Sequence, residues 1–390
     1  MRARSRRCRF TARRSRCAPQ ADPRRAPSTG YGPISSGGWC RRAEPAGHER
    51  ALRRDPTGVR AVQQKPIQDQ VIVITGASSG IGLATAHLAA REGAKMVLVA
   101  RNADALDAVA AELGNAAVVC VADIADEDSA ERIADAALTA FGRIDTWVNI
   151  AAAGVYGRFD QVPEADHRRV FDVGYFGTVR NSLKAVEVMQ DRGGTLINIG
   201  SILGDVSILQ QGIYASMKHA VHGFTNALRA EVMEAGDPVQ VTLIKPGAIH
   251  TPWPEHARNY MDKPASLPPM IYDPRLVAKA IVFAAANPRR EITVGGNGAL
   301  ISLFGTHFPA LTELGESLIG TPAQQTDQPP PPGVKDNLFT SRADGRIESD
   351  QDTHVRRTSL WLEAQLFPMR AAGVVGAGLL TALLLARGRR

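Results

Sequence analysis

Seven short apolar runs punctuate the middle of this 390-residue chain, at 71–74, 96–100, 117–122, 146–150, 196–200, 239–245 and 291–294. They are near-continuous rather than alternating, the pattern of strands buried on both faces. Between them, segments rich in alanine, leucine and charged residues, such as 104–113, 128–141 and 214–235, carry the helical period. Strand and helix in alternation predict right-handed βαβ units and a doubly wound parallel sheet covered by helices on both faces, a three-layer α/β fold. Ligands of such sheets bind beyond the carboxyl ends of the strands, so chemistry is expected in the loops that follow the runs.

The first such loop reads Thr75-Gly76-Ala77-Ser78-Ser79-Gly80-Ile81-Gly82 and opens directly into a helical pattern. Glycines let a backbone approach a diphosphate, and a helix N-terminus offers unpaired N–H groups and a positive dipole end to an anion. A tight strand-to-helix turn uses glycine for packing as well, so the loop alone does not decide. A second constellation adds to it. Tyr214 and Lys218 stand at i and i+4, on one helix face, and Ser201 follows the fifth run thirteen positions before the tyrosine. A free tyrosine titrates near 10, and a neighbouring lysine cation is expected to favour the phenolate. Tyr214 then suits proton delivery to a carbonyl oxygen or removal from an alcohol, with Ser201 as a hydrogen-bond partner of that oxygen.

With these residues the segment from about 70 to 294 resembles the short-chain dehydrogenase/reductase family. The glycine loop, Asp123, Asn149, Ser201, Tyr214, Lys218 and the Lys245-Pro246-Gly247 turn with Thr251 fall in that family's order. The resemblance implies a Rossmann fold of about seven strands, an NAD or NADP cofactor, and a Ser-Tyr-Lys catalytic set moving hydride between nicotinamide and a carbonyl or secondary alcohol. It further implies cofactor contacts from Gly76, Ser78, Ser79, Gly80, Ile81, Gly82, Asp123, Ile124, Asn149, Tyr214, Lys218, Pro246, Gly247, Ile249 and Thr251, and a homo-oligomer. Two positions depart from the family pattern. Asn149-Ile150-Ala151-Ala152 replaces Asn-Asn-Ala-Gly, and Gly174 stands where an asparagine holds a relay water, which favours a slowed relay. These departures also support the alternative reading, a nucleotide-binding sensor or scaffold with weak chemistry.

Ala100 and Arg101 end the second run where an acidic residue would select NAD. An arginine there pairs with a 2′-phosphate, so NADP is expected, unless Arg101 is only an exposed loop cation. The segment 250–272, with Trp253, His256, Tyr260 and Met261, is expected to cover the substrate, whose identity is not legible. The nine histidines show no ligand spacing, so no metal is expected.

Charge and composition change the picture only at the ends. Residues 1–61 hold sixteen arginines, no lysine and four acidic residues, while the whole chain is only +7, so the remainder is net negative. Such a segment cannot support a core and reads as a disordered arm, or as a stretch ahead of the true start; no nucleic-acid partner is expected. Cys8, Cys17 and Cys40 lie in it and Cys120 alone lies in the core, which suits a reducing cytoplasm. The catalytic domain is expected over 62–325, with Phe304, Phe308, Leu311, Leu314 and Leu318 at helical spacing in a short extension, packing in the core, or near the substrate mouth or a partner. A Pro-rich polar linker is expected over 326–358. Residues 359–390 include sixteen uncharged residues, 371–386, flanked by Arg370 and Arg387. A span needs about 20 apolar residues, about 17 at the least. The segment reads as a C-terminal hydrophobic helix and membrane anchor, or as a helix docked on the core.

Overall fold

A computed structural model describes residues 64–329, 335–342, 345–373 and 376. Seven strands form one parallel sheet: β1 (Val71–Thr75), β2 (Lys95–Ala100), β3 (Ala117–Val121), β4 (Thr146–Asn149), β5 (Gly194–Ile199), β6 (Val239–Pro246) and β7 (Glu291–Val294). Their order is 3-2-1-4-5-6-7. The chain winds outward in opposite directions from β1 and β4, and these neighbours leave a crevice at their carboxyl ends where the crossovers part.

Successive strand residues serve opposite faces, which is why the runs are apolar throughout. Ile72, Ile74, Met96 and Leu98 face a layer made by α1 (Gly80–Arg91), α2 (Ala103–Leu113) and, further along the chain, a helix at Pro274–Ala286. Val73, Val97, Val99 and Trp147 face the opposite layer of α3 (Ser129–Phe141), α4 (Glu164–Phe171), α5 (Thr178–Met189) and α6 (Gly212–Ala235). Residues Asp172–Gly177, between α4 and α5, wind as a wider π-type turn of the same helix. The three-layer α/β arrangement expected from the pattern is the one observed. A short helix, α7 (Trp253–His256), follows β6; the Pro274–Ala286 helix is α8, and α9 (Gly296–His307), α10 (Pro309–Ile319) and α11 (Leu360–Leu366) follow β7.

Two expectations about the C-terminal third need correction. The stripe Phe304, Phe308, Leu311, Leu314 and Leu318 does not pack inward: Leu318 is 71% exposed and the other four are about half exposed. Instead α9 docks through its glycines, Gly298 against Ile202 and Gly305 against Val206. The second correction concerns the linker. Residues 335–342 and 345–358 have irregular backbone, yet they lie on the core: Leu338 is fully buried, and Val355 and Arg356 pair in parallel with Ile271 and Tyr272. A polar composition hid this because most of the anchoring is by hydrogen bonds.

Further on, α11 packs Leu362 and Leu366 into the α1/α8 layer, with Phe367 edge-on to Phe283. Among the described residues no helix is long and apolar enough to cross a membrane. Most of the expected anchor, 374–386 apart from residue 376, and the whole arginine-rich arm 1–61 lie outside the described residues.

Candidate active site

The site begins at the end of β1. Gly76, at φ +73, and Ala77 donate their N–H groups to Val99 O, turning the chain over the tip of β2. Glycine is required again at 82, where an added Cβ would stand 2.0 Å from Gly76 O. The loop is thus folded so tightly that α1 begins under it, its first-turn N–H groups having no partner inside the helix. Thr75 pins the neighbouring loop, its Oγ1 accepting from Ile150 N–H at 3.0 Å and Ala151 N–H at 3.2 Å.

These turns wall a cavity of about 200 Å³, which also reaches Arg101, Asp123, Ile124, Thr251 and Trp253. Gly76, Ser78, Ser79, Gly80 and Ile81 all line it. Burial alone would raise the Asp123 carboxyl, but the Ala125 N–H and the ion-paired Arg169 guanidinium hold it below its ordinary value. Desolvation lowers the Arg101 guanidinium, opposed by Asp123 at 3.7 Å. A glycine cradle at a helix N-terminus, with a cation and a carboxylate beyond it, suits a dinucleotide in extended form.

A second cavity of about 150 Å³ adjoins the first across Ile81, Ile150, Ala152, Thr251 and Trp253. Ser201, Tyr214, Lys218, Pro246, Gly247 and Ile249 meet there, with Ile202, Leu203, Ile208 and Leu267 supplying an apolar wall. The sequence triad is therefore brought together by the ends of β5 and α6. Lys218 is buried, and its Nζ donates to Ile199 O at 2.7 Å and lies 5.6 Å from the Tyr214 ring centre. Burial drops the Lys218 pKa to about 8. The Tyr214 hydroxyl is pushed up to about 12 by burial, opposed by its hydrogen bond with Ser201. The expected depression of the tyrosine thus yields to desolvation of the buried phenol.

Behind Ser201 lies a network with no signal in the sequence. His222, two turns after Tyr214, accepts from Ser201 N–H through Nε2 at 3.4 Å and meets Asp205 through Nδ1 at 3.1 Å. Its ring fills the space that Gly200 and Gly204 leave, since a Cβ at either would come within 2.4 Å of it. Asp205 also receives Lys245 at 2.8 Å and Ser302 at 2.5 Å. Burial raises this carboxyl, but the bonds from His222, Lys245 and Ser302 outweigh it and leave Asp205 far below the carboxylate range.

Asn149 stands apart from the other expected cofactor residues. Its side chain accepts from Trp147 Nε1 at 3.1 Å and donates to Asn198 Oδ1 at 2.9 Å and Ser182 Oγ at 3.1 Å, lining neither cavity. Gly174 lies in the π-type turn, where Met217 fills the space an added Cβ would need, at 2.6 Å. An asparagine at 174 would have to displace Met217, next to the catalytic candidate Lys218. Trp253 stacks 4.8 Å from Tyr214 and covers Gly154, dividing the two cavities. From the expected linker, Asn337, Ser341 and Arg342 line the first cavity.

The family model for short chain dehydrogenases matches residues 70–261. An uncharacterised oxidoreductase of Bacillus subtilis, YxnA, is 41% identical over 337 residues, covering 85% of this chain and 94% of that protein. Dehydrogenase/reductase SDR family member 7B of Danio rerio is 30% identical over 272 residues, covering 65% and 86%. A short-chain dehydrogenase/reductase from Burkholderia phymatum, solved in complex with NAD, matches with a TM-score of 0.57 at 26% identity over 64% of this chain and 96% of that one. A 3-ketoacyl-(acyl-carrier-protein) reductase from Brucella melitensis, complexed with NADH, gives 0.52 at 25% identity over 60% and 99%. With its switch-point crevice and glycine cradle, the chain belongs to the short-chain dehydrogenase/reductase family of Rossmann-fold, NAD-binding oxidoreductases.

Proposed function

We propose that this protein is a reductase or dehydrogenase that uses NADP in preference to NAD and acts on a carbonyl or secondary alcohol of an apolar small molecule. The convergence of Ser201, Tyr214 and Lys218 on the apolar second cavity carries the reading. The fit of a dinucleotide rests on the cradle that a Cβ at Gly82 would close. Gly76, Ser79, Ile81, Asp123 and Thr251 would hold it, and bound there it supplies or accepts a hydride. Ser201 orients the substrate oxygen. Tyr214 delivers the proton to it in reduction or takes it in oxidation, and the Lys218 cation stabilises the phenolate that remains. Trp253 shields this exchange from water. The test is NADPH oxidation by the full chain against ketones, aldehydes and quinones.

The Lys218 pKa gives the reaction a pH dependence. Its pKa of about 8 lies below the ordinary 10.5, so burial disfavours its charged form. That cost to the folded state is complete below about 8 and vanishes as pH rises from there through 10.5, where both states are neutral. The cation is the working form, so kcat/KM for reduction is expected to fall above about pH 8. A pH–rate profile flat to pH 10 would contradict this.

At the C-terminus, the apolar stretch 371–386 and the exposed face of α9 and α10 support membrane attachment of an otherwise cytoplasmic catalytic domain. The full chain is expected to float with phosphatidylcholine vesicles, and a chain with Leu380→Glu and Leu384→Glu to remain behind. Flotation of both, or of neither, would count against the attachment.

A further inference from the structure

The first cavity has a wall that its loops do not provide. Residues 335–342 and 345–350 lie beyond the segment that the family model spans, and they run across the mouth of the crevice. They are fastened to the groups that build the cofactor cradle. The Arg101 guanidinium donates to Asn337 O and Leu338 O, and Arg169 donates to Leu338 O at 3.0 Å. Asn102 Nδ2 donates to Arg342 O, and Gly80 N–H, at the first turn of α1, donates to Arg346 O at 2.7 Å. On the outer side, Arg258 grips Asp336 at 2.9 Å, and the Ser349 hydroxyl and Asp350 N–H both donate to Glu255 Oε1. Leu338 is fully buried within the α3–α6 layer's core, and Phe339 lies under the guanidinium groups of Arg169 and Arg258. This is a seated strap, held at both rims of the opening.

The strap sets its own side chains at a definite place in the cavity. Arg101 and Asn102 mark the end of β2, the position that faces the adenosine ribose in sheets of this winding. Ser341 and Arg342 line the cavity together with Arg101, Asn102 and Ala105. Arg342 O is held by Asn102 at the β2 side, while its Nη1 donates to Glu255 O and Lys335 O, both at 2.7 Å, so the side chain is fixed across the opening rather than left to sweep solvent. Arg101 is at the same time drawn toward strap carbonyls and Asp123. The cavity is therefore lined by two arginines, one from the core and one from the strap, and by a serine of the strap, residue types suited to a phosphate monoester.

We infer that the strap is part of the dinucleotide site and that Arg342, aided by Ser341, is a specificity-determining residue that recognises the 2′-phosphate of the cofactor alongside Arg101. The inference rests on the NADP reading and adds a second determinant from outside the Rossmann core. Binding of NADPH and NADH to the full chain, followed by fluorescence titration, tests it with Arg342→Ala, Arg342→Lys and Arg101→Ala, each checked for an unchanged melting profile. Arg342→Ala is expected to weaken NADPH binding about 10- to 100-fold more than NADH binding, with Arg342→Lys recovering part of the loss. Equal losses for both dinucleotides would overturn the assignment, because the strap would then close the site without reading the phosphate. Unchanged affinities in Arg342→Ala together with a selective loss in Arg101→Ala would overturn it while leaving the NADP reading standing. A wild-type chain that prefers NADH, with neither arginine selective, would remove both.

Discussion

Replacing Tyr214 by phenylalanine is expected to lower turnover by about 10²- to 10⁴-fold, the usual worth of a positioned acid or base, with dinucleotide affinity unchanged. The substitution removes one hydroxyl and keeps the ring, so the 4.8 Å packing against Trp253 and the place of α6 are preserved. What is lost is the one group that, among the described residues lining the second cavity, combines an exchangeable proton with both a Ser201 hydrogen bond and a neighbouring lysine cation. Parallel measurement of NADPH oxidation and NADPH binding separates the two readings of the site. Turnover that vanishes with the hydroxyl fits the enzyme. Saturable binding with no turnover in either form, across the carbonyl panel, fits a nucleotide sensor, and a mutant that retains full turnover removes Tyr214 from the chemistry.

A methyl group at position 82 is expected to be nearly as damaging, for a different reason. The Cβ of Gly82→Ala would stand 2.0 Å from Gly76 O and 2.6 Å from its carbonyl carbon. Those are backbone atoms, so no rotamer change relieves the overlap and the loop must move off the helix. The cost should reach or exceed the ~1–3 kcal/mol typical of overpacking. Because the moving part is the cradle itself, dinucleotide affinity falls with stability. Gly223 in α6 is the control: nothing lies within 4 Å of its missing Cβ, and alanine there should stabilise the helix by up to ~1 kcal/mol. Thermal melts of both variants, with and without NADPH, decide it. A Gly82→Ala chain that melts and binds like the parent would show that the loop has slack the geometry denies.

The strands, and the meeting of Ser201, Tyr214 and Lys218 in one cavity, were legible because each rests on a local rule. A strand buried on both faces must be apolar throughout, so Val71 to Thr75 announces itself, and Tyr214 and Lys218 share a face by helical spacing alone. What escaped depends on facts that no spacing holds. Periodicity reveals that Phe304 to Leu318 form a stripe but not whether anything covers it, and glycines, invisible to a hydrophobic pattern, turned out to make the contact. Asn149 has the right place in the order, yet a tryptophan, a serine and a second asparagine claim its amide. Among its described residues the strap carries one fully buried aliphatic side chain, Leu338, and one partly buried, Ile347, amid mostly polar residues, and it is held largely by carbonyls that every residue type possesses. The tyrosine pKa was misjudged because proximity to a cation is readable from sequence, while the dryness of the surroundings is not.

His222 joins two pieces of machinery that the chain makes separately. Ser201 rides on the corner after β5, whereas Tyr214 and Lys218 ride on α6. Since the imidazole belongs to α6 and is clamped between Gly200 and Gly204 on that corner, any sliding of the helix along the sheet carries the serine with it. Ser201, Tyr214 and Lys218 thus share one mount, tied across two elements by a single imidazole.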